Sequence, residues 1–251
     1  MNRDSSIKVS PQGGYLTDWS VFNEKSNRFE EIFYHGSSIK RTGIPPLFPC
    51  WGESGVALRK HGFARDVTWE ISQKTSDSVT MFLDSSKIRE ILDKEYNHDF
   101  LVTIISSAKE KDLFYSMKVE NKGNDDMAIA PAIHPYFSLS HLDKKNIKTE
   151  GINGFHSKEF DWDSFPPDNQ YDFDGKATIV FPKRKISIED ISDIKVIKHM
   201  VIWSQPIKSE DHDFVCFGPV TGLAGAIERK EIIVSPKKIW EMKLKFTVSF
   251  D

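Results

Sequence analysis

Short segments that mix β-branched and aromatic residues with polar ones recur along this chain from residue 14 to its end. Clear examples are SVTMFLD at 78–84, FLVTIIS at 100–106 and IWEMKLKFTVSF at 239–250. Polar stretches such as NKGNDD and FPPDNQYDFDG, expected to be turns, separate several of them. Many short strands joined by turns are typical of an all-β sandwich. The sequence therefore predicts an all-β protein built as a large antiparallel β-sandwich.

One segment departs from the strand pattern, and nothing divides the chain. SSKIREILDKEY, from Ser85, is rich in helix formers and has an apolar stripe at Ile88, Ile91 and Leu92, which fits a short helix or an irregular edge. The 251 residues are 39% hydrophobic, which is enough for a substantial core. They contain no internal repeat, low-complexity linker or change of composition. We therefore expect a single domain over residues 1–251.

Charge and cysteine content narrow the classes of partner and compartment. The formal net charge of −3 argues against a general nucleic-acid binder, so a positive site has to be local. Cys50 and Cys216 match neither a disulfide framework nor a zinc-ligand spacing, and they suit a reducing compartment. The first residues lack the apolar core of a signal peptide, and no apolar run is long enough to span a bilayer. We expect a cytoplasmic protein with no nucleic-acid or membrane partner; the sequence leaves the oligomeric state open.

Two segments carry basic side chains where a site could form. KRTGIPPLFPCWG is stiffened by three prolines and has Arg41 at its entrance; alone, it fits a structural connection better than a site. RKHGFAR surrounds His61 with Lys60 and Arg65, and alone it fits a basic turn as well as a site. A guanidinium suits phosphate or vicinal hydroxyls, and nearby cations favour a neutral imidazole.

Two later segments add aromatic and polar groups. APAIHPYF places His134 between a small apolar run and Pro135, with two aromatic residues following. This imidazole is equally consistent with a hydrogen-bonded core residue and with a fixed group in an aromatic-walled sugar pocket. VIWSQP offers Trp203 as a stacking face and Gln205 as an amide, or else a core strand and its turn. The sequence contains no metal-ligand cluster, phosphate-binding glycine loop or nucleophile elbow.

Taken together, these segments resemble the aldose 1-epimerase (mutarotase) superfamily, and within it the hexose-6-phosphate 1-epimerase-like branch. RTGIPPLFPCWG resembles the branch's Arg-Gly-Gly-Ile-Pro loop, and KHGFARDVTWE resembles its His-Gly-Phe-Ala-Arg segment with a following Trp. VENKGNDDMAIAPAIHPYF resembles its strand, Asn-rich turn and strand ending in His-Pro-Tyr-Phe. HMVIWS and DFVCFGP resemble its late strands. Order and rough spacing agree from about residue 15 to residue 250, which is nearly the whole chain.

The resemblance implies a fold and a reaction. The fold is a large antiparallel β-sandwich of the galactose mutarotase type, a supersandwich. The reaction interconverts the α and β anomers of a hexose, here a hexose 6-phosphate. A base takes the proton of the anomeric hydroxyl, an acid protonates the ring oxygen, and the opened sugar rotates about C1–C2 before it closes again. The implied partner is a small-molecule sugar or sugar phosphate, and neither a cofactor nor a metal is required.

The resemblance also implies roles for residues. His134 corresponds to the general acid at the ring oxygen, and His61 to the second imidazole, which binds the substrate's hydroxyls or aldehyde oxygen. Arg41 and Arg65 correspond to the basic residues that hold the 6-phosphate. Lys60 stands where the branch has Gln, which either adds a phosphate contact or changes the sugar that fits.

The chain departs from the family at the catalytic base. The family has Glu followed by Pro in a Val/Tyr-Cys-x-Glu-Pro segment, whereas this chain reads VCFGP, with Gly218 at the position of the Glu. Glycine offers no proton acceptor, and a positioned general base contributes about 10² to 10⁴ in rate. Three accounts stay open. Another carboxylate such as Glu228, Asp213 or Glu53 reaches the pocket, or the substrate phosphate or a water acts as base, or catalysis has been lost.

We therefore expect an aldose 1-epimerase acting on a hexose 6-phosphate, and two alternatives remain. The first is a non-catalytic sugar-phosphate binding protein on the same fold, which Gly218 motivates. The second is a mutarotase for neutral sugars, which the basic residues Arg41, Lys60 and Arg65 disfavour.

Overall fold

The computed structural model describes residues 4–55 and 58–251. Within these ranges there are eighteen β-strands and one α-helix, α1, at Arg89–Glu95. The strands are β1 (Ser5–Ser10), β2 (Tyr15–Asn23), β3 (Arg28–Glu31), β4 (Pro46–Leu47), β5 (Glu70–Lys74), β6 (Ser78–Asp84), β7 (Phe100–Lys109), β8 (Asp112–Asn121), β9 (Met127–Ile129), β10 (Ala132–Ile133), β11 (Tyr136–Ser138), β12 (Lys148–Ile152), β13 (Asp168–Phe181), β14 (Arg184–Asp190), β15 (His199–Trp203), β16 (Phe214–Val220), β17 (Ile232–Val234) and β18 (Ile239–Phe250). Short 3-10 helices lie at Ile39–Arg41, Ala64–Asp66, Ser85–Lys87, His141–Asn146 and Ser157–Glu159. The predicted all-β class is confirmed.

The strands of the described ranges pair antiparallel and form three sheets. β1 to β3 make a three-stranded sheet, and β9 pairs with β17. The remaining 13 strands form one large sheet in the order β4-β10-β16-β15-β13-β14-β18-β8-β7-β6-β5, with β11 beside β16 and β12 beside β13. The large antiparallel architecture expected from the sequence is therefore confirmed. The predicted short helix is α1, and among the described residues no helix has the length and apolar character needed to cross a membrane.

Burial patterns separate strands with one covered face from strands covered on both faces. In β7 and β8, buried and partly exposed residues alternate, because successive side chains point to opposite faces and one face meets solvent. All seven residues of β16 are buried. β16 therefore runs through the interior, where it can present one row of side chains to the core and the other to a cavity.

β13 connects the two halves of the large sheet, and its first half was not predicted. Residues 168–172 pair with β15, whereas residues 176–181 pair with β14. The stretch FPPDNQYDFDG was expected to be a turn because it is polar and contains two prolines, but a strand begins at Asp168, directly after the prolines. The expectation was wrong because pairing with β15 stabilises polar residues as a strand when their side chains remain exposed or half-buried.

Prolines divide the segment 127–138 into three short strands. Pro131 separates β9 from β10, and Pro135 separates β10 from β11, since proline lacks the amide donor that a continuous strand needs. His134 lies at the second break, and its amide donates to the Pro45 carbonyl at 3.3 Å. Together with the pairing of β4 and β10, this bond ties the proline-rich loop after Arg41 to the His134 segment.

Arg184, in β14, joins the three-stranded sheet to the large sheet. Its side chain is buried, and its guanidinium donates to the carbonyl oxygens of Glu31 at 3.3 Å, Ile32 at 3.2 Å and Ser138 at 2.6 Å. Glu31 ends β3 and Ser138 ends β11, so a single side chain spans elements from both sheets.

Candidate active site

A cavity of about 530 Å³ lies against strands β10, β11, β13, β15 and β16 of the large sheet. Its volume is in the range typical of small-ligand sites. The loop around Arg41, residues 51–53 and the segment 60–65 form further parts of its walls. Seven residues singled out in the sequence line it: Arg41, Lys60, His61, Arg65, His134, Trp203 and Gly218.

Strand register arranges part of the cavity wall in two rows. Asp168 pairs with Trp203, and Trp203 pairs with Cys216. In the adjacent row, Val201 pairs with Gly218. Residues two apart on a strand point to the same face, so Cys216 and Gly218 share the face that Trp203 and Val201 present to the cavity.

His61 lies in a tight turn that depends on a glycine. His61 and Gly62 both have left-handed φ angles, +68° and +66°. A Cβ at Gly62 would lie 2.1 Å from the carbonyl oxygen of Phe48, so only glycine permits this approach. The His61 amide donates to the Gly52 carbonyl at 2.8 Å, and the Gly52 amide donates to His61 Nδ1 at 2.9 Å. Because an amide can only donate, neutral His61 carries its proton on Nε2.

His134 is held by aromatic rings and a thiol. Its ring centroid lies 4.8 Å from that of Tyr136 and 5.5 Å from that of Trp203. Its Nδ1 lies 2.9 Å from Cys216 Sγ. The centroids of His61 and His134 are 6.1 Å apart, which is close enough for one sugar to contact both imidazoles.

Burial and neighbouring charge keep both imidazoles neutral. Burial, reinforced by the charge of Arg65, lowers the pKa of His61 to about 3. The same two causes lower the pKa of His134 to about 3. The expectation of a neutral imidazole inside the basic cluster agrees with these shifts, and both rings are uncharged at neutral pH.

The two arginines bring positive charge and unsatisfied donors into the cavity. The guanidinium carbon of Arg41 lies 5.1 Å from the centroid of the Trp203 ring, a cation–π contact. Arg41 Nη1 and Arg65 Nε are buried and lack a hydrogen-bond partner within residues 4–55 and 58–251. Lys60 is half-exposed, with its Nζ 3.7 Å from a carboxylate oxygen of Glu53. Buried cationic donors without partners favour an anionic ligand, because leaving them unsatisfied is costly.

Gly218, which the sequence resemblance aligns with a catalytic Glu, has no side chain, and the backbone crowds its position. A Cβ at Gly218 would lie 3.1 Å from the Ile133 carbonyl oxygen and 3.5 Å from Cys216 Sγ. A side chain could enter only if the Ile133 carbonyl moved by a few tenths of an ångström.

Other carboxylates are distributed unevenly around the cavity. Among the described residues, Glu53 and Asp168 line it. Asp213 and Glu228, two of the substitutes considered from the sequence, are not lining residues, and each accepts a hydrogen bond from a backbone amide. Glu53 and Asp168 are therefore the carboxylates available to substrate in the part of the chain described.

Asp168 and Cys216 are the site residues that sequence reasoning missed. Asp168 belongs to the stretch expected to be a turn, and alternation of Asp168, Gln170 and Asp172 with their neighbours was too polar to indicate a strand. The contact of Cys216 with His134 spans 82 residues, so no local pattern could reveal it. Gln205, considered as a cavity amide, instead offers its backbone carbonyl to a buried lysine.

A possible metal-ligand group lies outside the cavity. Asp18, Glu31 and His35 have ligand atoms within 4.8 Å of one another. Asp18 Oδ1 accepts a hydrogen bond from Lys8 Nζ at 3.1 Å, and Glu31 Oε1 accepts one from the Trp19 amide at 2.8 Å. These bonds occupy oxygens that a cation would need.

Solved structures share this fold at low sequence identity. The Slr1438 protein of Synechocystis sp. PCC 6803 is 22% identical, with a TM-score of 0.79 covering 99% of this chain and 93% of that one. A galactose mutarotase related enzyme from Lactobacillus acidophilus is 19% identical, with a TM-score of 0.78 covering 99% and 96%. A galactose mutarotase-like protein from Lactobacillus casei ATCC 334 is 19% identical, with a TM-score of 0.74 covering 99% and 98%. These similarities establish the galactose mutarotase-like fold.

Sequence comparison identifies the family. No curated protein matches the chain. The family model for aldose 1-epimerase, however, matches residues 1–247, almost the full length. With the mutarotase-like fold, this match leads to one conclusion: the chain belongs to the aldose 1-epimerase family.

Proposed function

We propose that this protein interconverts the α and β anomers of a hexose 6-phosphate by acid–base ring opening. Family membership supports an isomerase acting on a sugar. One observation supports a phosphate group on the substrate. In the cavity that also holds His61 and His134, Arg41 and Arg65 have buried guanidinium nitrogens without partners in the described chain. We place the activity in the cytoplasm, because both cysteines are free thiols and suit a reducing compartment.

The cavity offers positive groups for the phosphate and an aromatic ring for the sugar. Arg41 and Arg65 suit a phosphate because their planar donors match its oxygens, and Lys60 adds a third charge. Trp203 offers an aromatic face against which the C–H groups of a sugar can pack. His61 donates from Nε2 to the anomeric or aldehyde oxygen.

The phosphate also prepares His134 to act as the acid. Burial and the charge of Arg65 hold the pKa of His134 at about 3 without ligand. A bound phosphate dianion offsets the nearby positive charge and thereby raises the pKa of His134. In the complex, the imidazolium gives its Nε2 proton to the ring oxygen O5 as the C1–O5 bond breaks.

We assign the role of base to Asp168. It lies on β13 beside Trp203, and no described residue donates a hydrogen bond to its carboxylate or forms an ion pair with it. Glu53, the other carboxylate lining the cavity, is on a loop and faces Lys60. Asp168 takes the O1 proton as C1 becomes the aldehyde carbon. After rotation about C1–C2, O5 attacks C1 from either face, Asp168 returns its proton to O1, and O5 returns its proton to His134.

Anomer exchange of glucose 6-phosphate, measured by saturation-transfer NMR, tests this activity. We expect exchange faster than in buffer, and a return to the buffer rate in His134→Asn. His156→Asn, at an exposed histidine that does not line the cavity, is the matched control and should keep wild-type activity. Full activity in His134→Asn would remove His134 from the role of acid.

The assignment of the base needs its own pair of variants. Asp168→Asn should lower kcat by about 10² to 10⁴, the usual contribution of a positioned base, whereas Glu53→Gln should change it little. A large loss in Glu53→Gln with an active Asp168→Asn would transfer the role to Glu53. Circular dichroism of both variants would show whether either loss comes from unfolding.

Gly218 favours one alternative, a protein that binds a sugar phosphate without turning it over. This alternative predicts saturable binding of glucose 6-phosphate with no acceleration of anomer exchange in the same sample. Comparing glucose with glucose 6-phosphate at equal concentration tests the other alternative, a mutarotase for neutral sugars. Preference for glucose would contradict the phosphate role of Arg41 and Arg65.

A further inference from the structure

Cys216 does not line the cavity, but it contacts the cavity residue His134 from the interior of the sheet. Its Sγ lies 2.9 Å from His134 Nδ1. Cys216 is buried in β16, two residues before Gly218 and on the same face of the strand. It is paired with Trp203 on one side and with Tyr136 on the other, so strands on both sides fix the position of the thiol.

The contact leaves one ring nitrogen of His134 for the substrate. An imidazole has two nitrogens, and the nitrogen facing Cys216 is Nδ1. His134 lines the cavity and is only half-buried, so Nε2 is the nitrogen available to a ligand there. In neutral imidazole one nitrogen donates and the other accepts, and the partner of one decides the role of the other.

The chemistry of the pair indicates where the proton lies. Burial raises the pKa of the Cys216 thiol well above its usual value, and the charge of Asp168 adds to this effect. The thiol is therefore protonated at neutral pH, when His134 is uncharged. An S–H group that faces a neutral imidazole nitrogen can donate to it, and Nε2 then carries the ring proton.

We propose that Cys216 is a positioning residue that accounts for the orientation and tautomer of His134: its thiol donates to Nδ1 and keeps the Nε2–H group directed at the sugar ring oxygen. The catalytic part of this inference rests on the proposed role of His134. The structural part, the tautomer, stands without it.

A thiol suits this position because it can reverse its role. When His134 becomes an imidazolium, Nδ1–H donates to Sγ and the contact is kept. A carboxylate there could only accept, so it would fix the proton on Nδ1 and raise the pKa of His134. His61 is fixed differently, because the Gly52 amide that faces its Nδ1 can donate but never accept. The partner of His134 can thus donate or accept a hydrogen bond, whereas the partner of His61 can only donate one.

Nitrogen-15 NMR of the histidine rings tests the tautomer directly. At neutral pH the wild-type ring of His134, assigned by its loss in His134→Asn, should give the shift and coupling pattern of an Nε2–H tautomer. Cys216→Ala should give a mixture of tautomers, and Cys216→Ser, which retains a donor, should preserve Nε2–H. Cys50→Ala removes the other buried thiol and should leave the pattern unchanged.

Kinetics test the consequence for turnover. Loss of one neutral hydrogen bond should lower kcat by about fivefold to tenfold in Cys216→Ala, with KM unchanged and with recovery in Cys216→Ser. An Nδ1–H tautomer in the wild type, or an unchanged Nε2–H pattern in Cys216→Ala, would overturn the proposal. If the wild type showed no turnover, the spectra would still decide the tautomer, so failure of the proposed function would remain distinguishable. If Cys216→Ala did not fold, the wild-type and Cys216→Ser spectra would decide it.

Discussion

At the scale of single residues, the lowered pKa values of His61 and His134 make the stability of the fold depend on pH. Their pKa values are about 3 in the folded protein and about 6.5 in an unfolded chain. Between these pH values the unfolded state binds more protons than the folded state. This contribution to the free energy of unfolding is fully present above pH 6.5 and is lost as the pH falls toward 3.

We expect this loss to be smaller in His134→Asn, because Asn has no proton to bind on unfolding. Urea unfolding at pH 7, 5 and 4 would measure the dependence, with His156→Asn as the control that keeps the wild-type slope. A slope in His134→Asn equal to that of the wild type would show that the folded protein does not lower the pKa of His134.

At Gly62, the space available for a side chain determines the effect of a substitution on stability. Gly62→Ala should destabilise the protein by more than about 4 kcal/mol, because Cβ would lie 2.1 Å from the Phe48 carbonyl oxygen. Gly154 provides a matched control: its φ of +82° is also left-handed, but nothing lies within 4 Å of its Cβ position. Gly154→Ala should cost about 1–2 kcal/mol, the strain of φ alone. Equal losses in thermal or urea unfolding would contradict the close-contact argument.

At the scale of elements, hydrophobic alternation predicted strands that have one face on the core. β6 and β18 begin and end at the residues expected, since apolar and polar positions alternate along both. The start of β13 was missed because its partner β15 and the adjacent cavity, both distant in sequence, make a polar strand stable. The hydrophobic period and the composition of a segment indicate which face of a strand is buried. They do not indicate which strand pairs with it.

The same distinction explains how much of the candidate site was foreseen. His61 and His134 were found because each stands in a short, ordered motif together with its neighbours. Asp168 and Cys216 were not found, because their place in the site depends on pairing between strands that are distant in sequence. Asp168 reaches the cavity through pairing with Trp203, and Cys216 reaches His134 from the neighbouring strand. Local sequence motifs indicate candidate functional groups. The register of the sheet determines which of those groups come into contact.

Arg184 provides a prediction about elements, since it connects two sheets. Arg184→Met should lower the free energy of unfolding by about 2–4 kcal/mol, because three backbone carbonyls lose a buried donor. Lys185, the next residue in β14, is half-exposed and pairs with the terminal Asp251. Lys185→Met should change stability by less than about 0.5 kcal/mol. Similar effects of the two substitutions in chemical denaturation would show that the guanidinium does not hold the sheets together.

At the scale of the whole molecule, a negative protein carries a positive cavity. The net charge is −3, yet Arg41, Lys60 and Arg65 all line the same space. The net charge therefore gives an anion no long-range attraction, and electrostatic affinity comes from the local positive charge of the cavity. Binding should select for an anionic group on a ligand that also fits the sugar-sized space.

We expect the affinity for glucose 6-phosphate to fall as ionic strength rises from 0.01 to 0.15 M, because screening shortens from about 30 Å to about 8 Å. Titration calorimetry at several salt concentrations would measure the dependence. Glucose provides the uncharged control and should show little change. Arg65→Ala should weaken the phosphate ligand and flatten its salt dependence, and an unaltered dependence would exclude Arg65 from phosphate binding.

The contact between Arg41 and Trp203 gives the cavity an optical reporter. Indole emission responds to nearby charge, and a guanidinium 5.1 Å from the ring sets that charge before any ligand arrives. An anion that binds Arg41 changes the electric field at Trp203. The wavelength or the intensity of Trp203 fluorescence changes with it. Of the six tryptophans, Trp51 also lines the cavity, so Trp51→Phe would leave Trp203 as the reporting ring there. Occupancy by colourless sugars can thus be followed in real time, without a label and without waiting for a reaction.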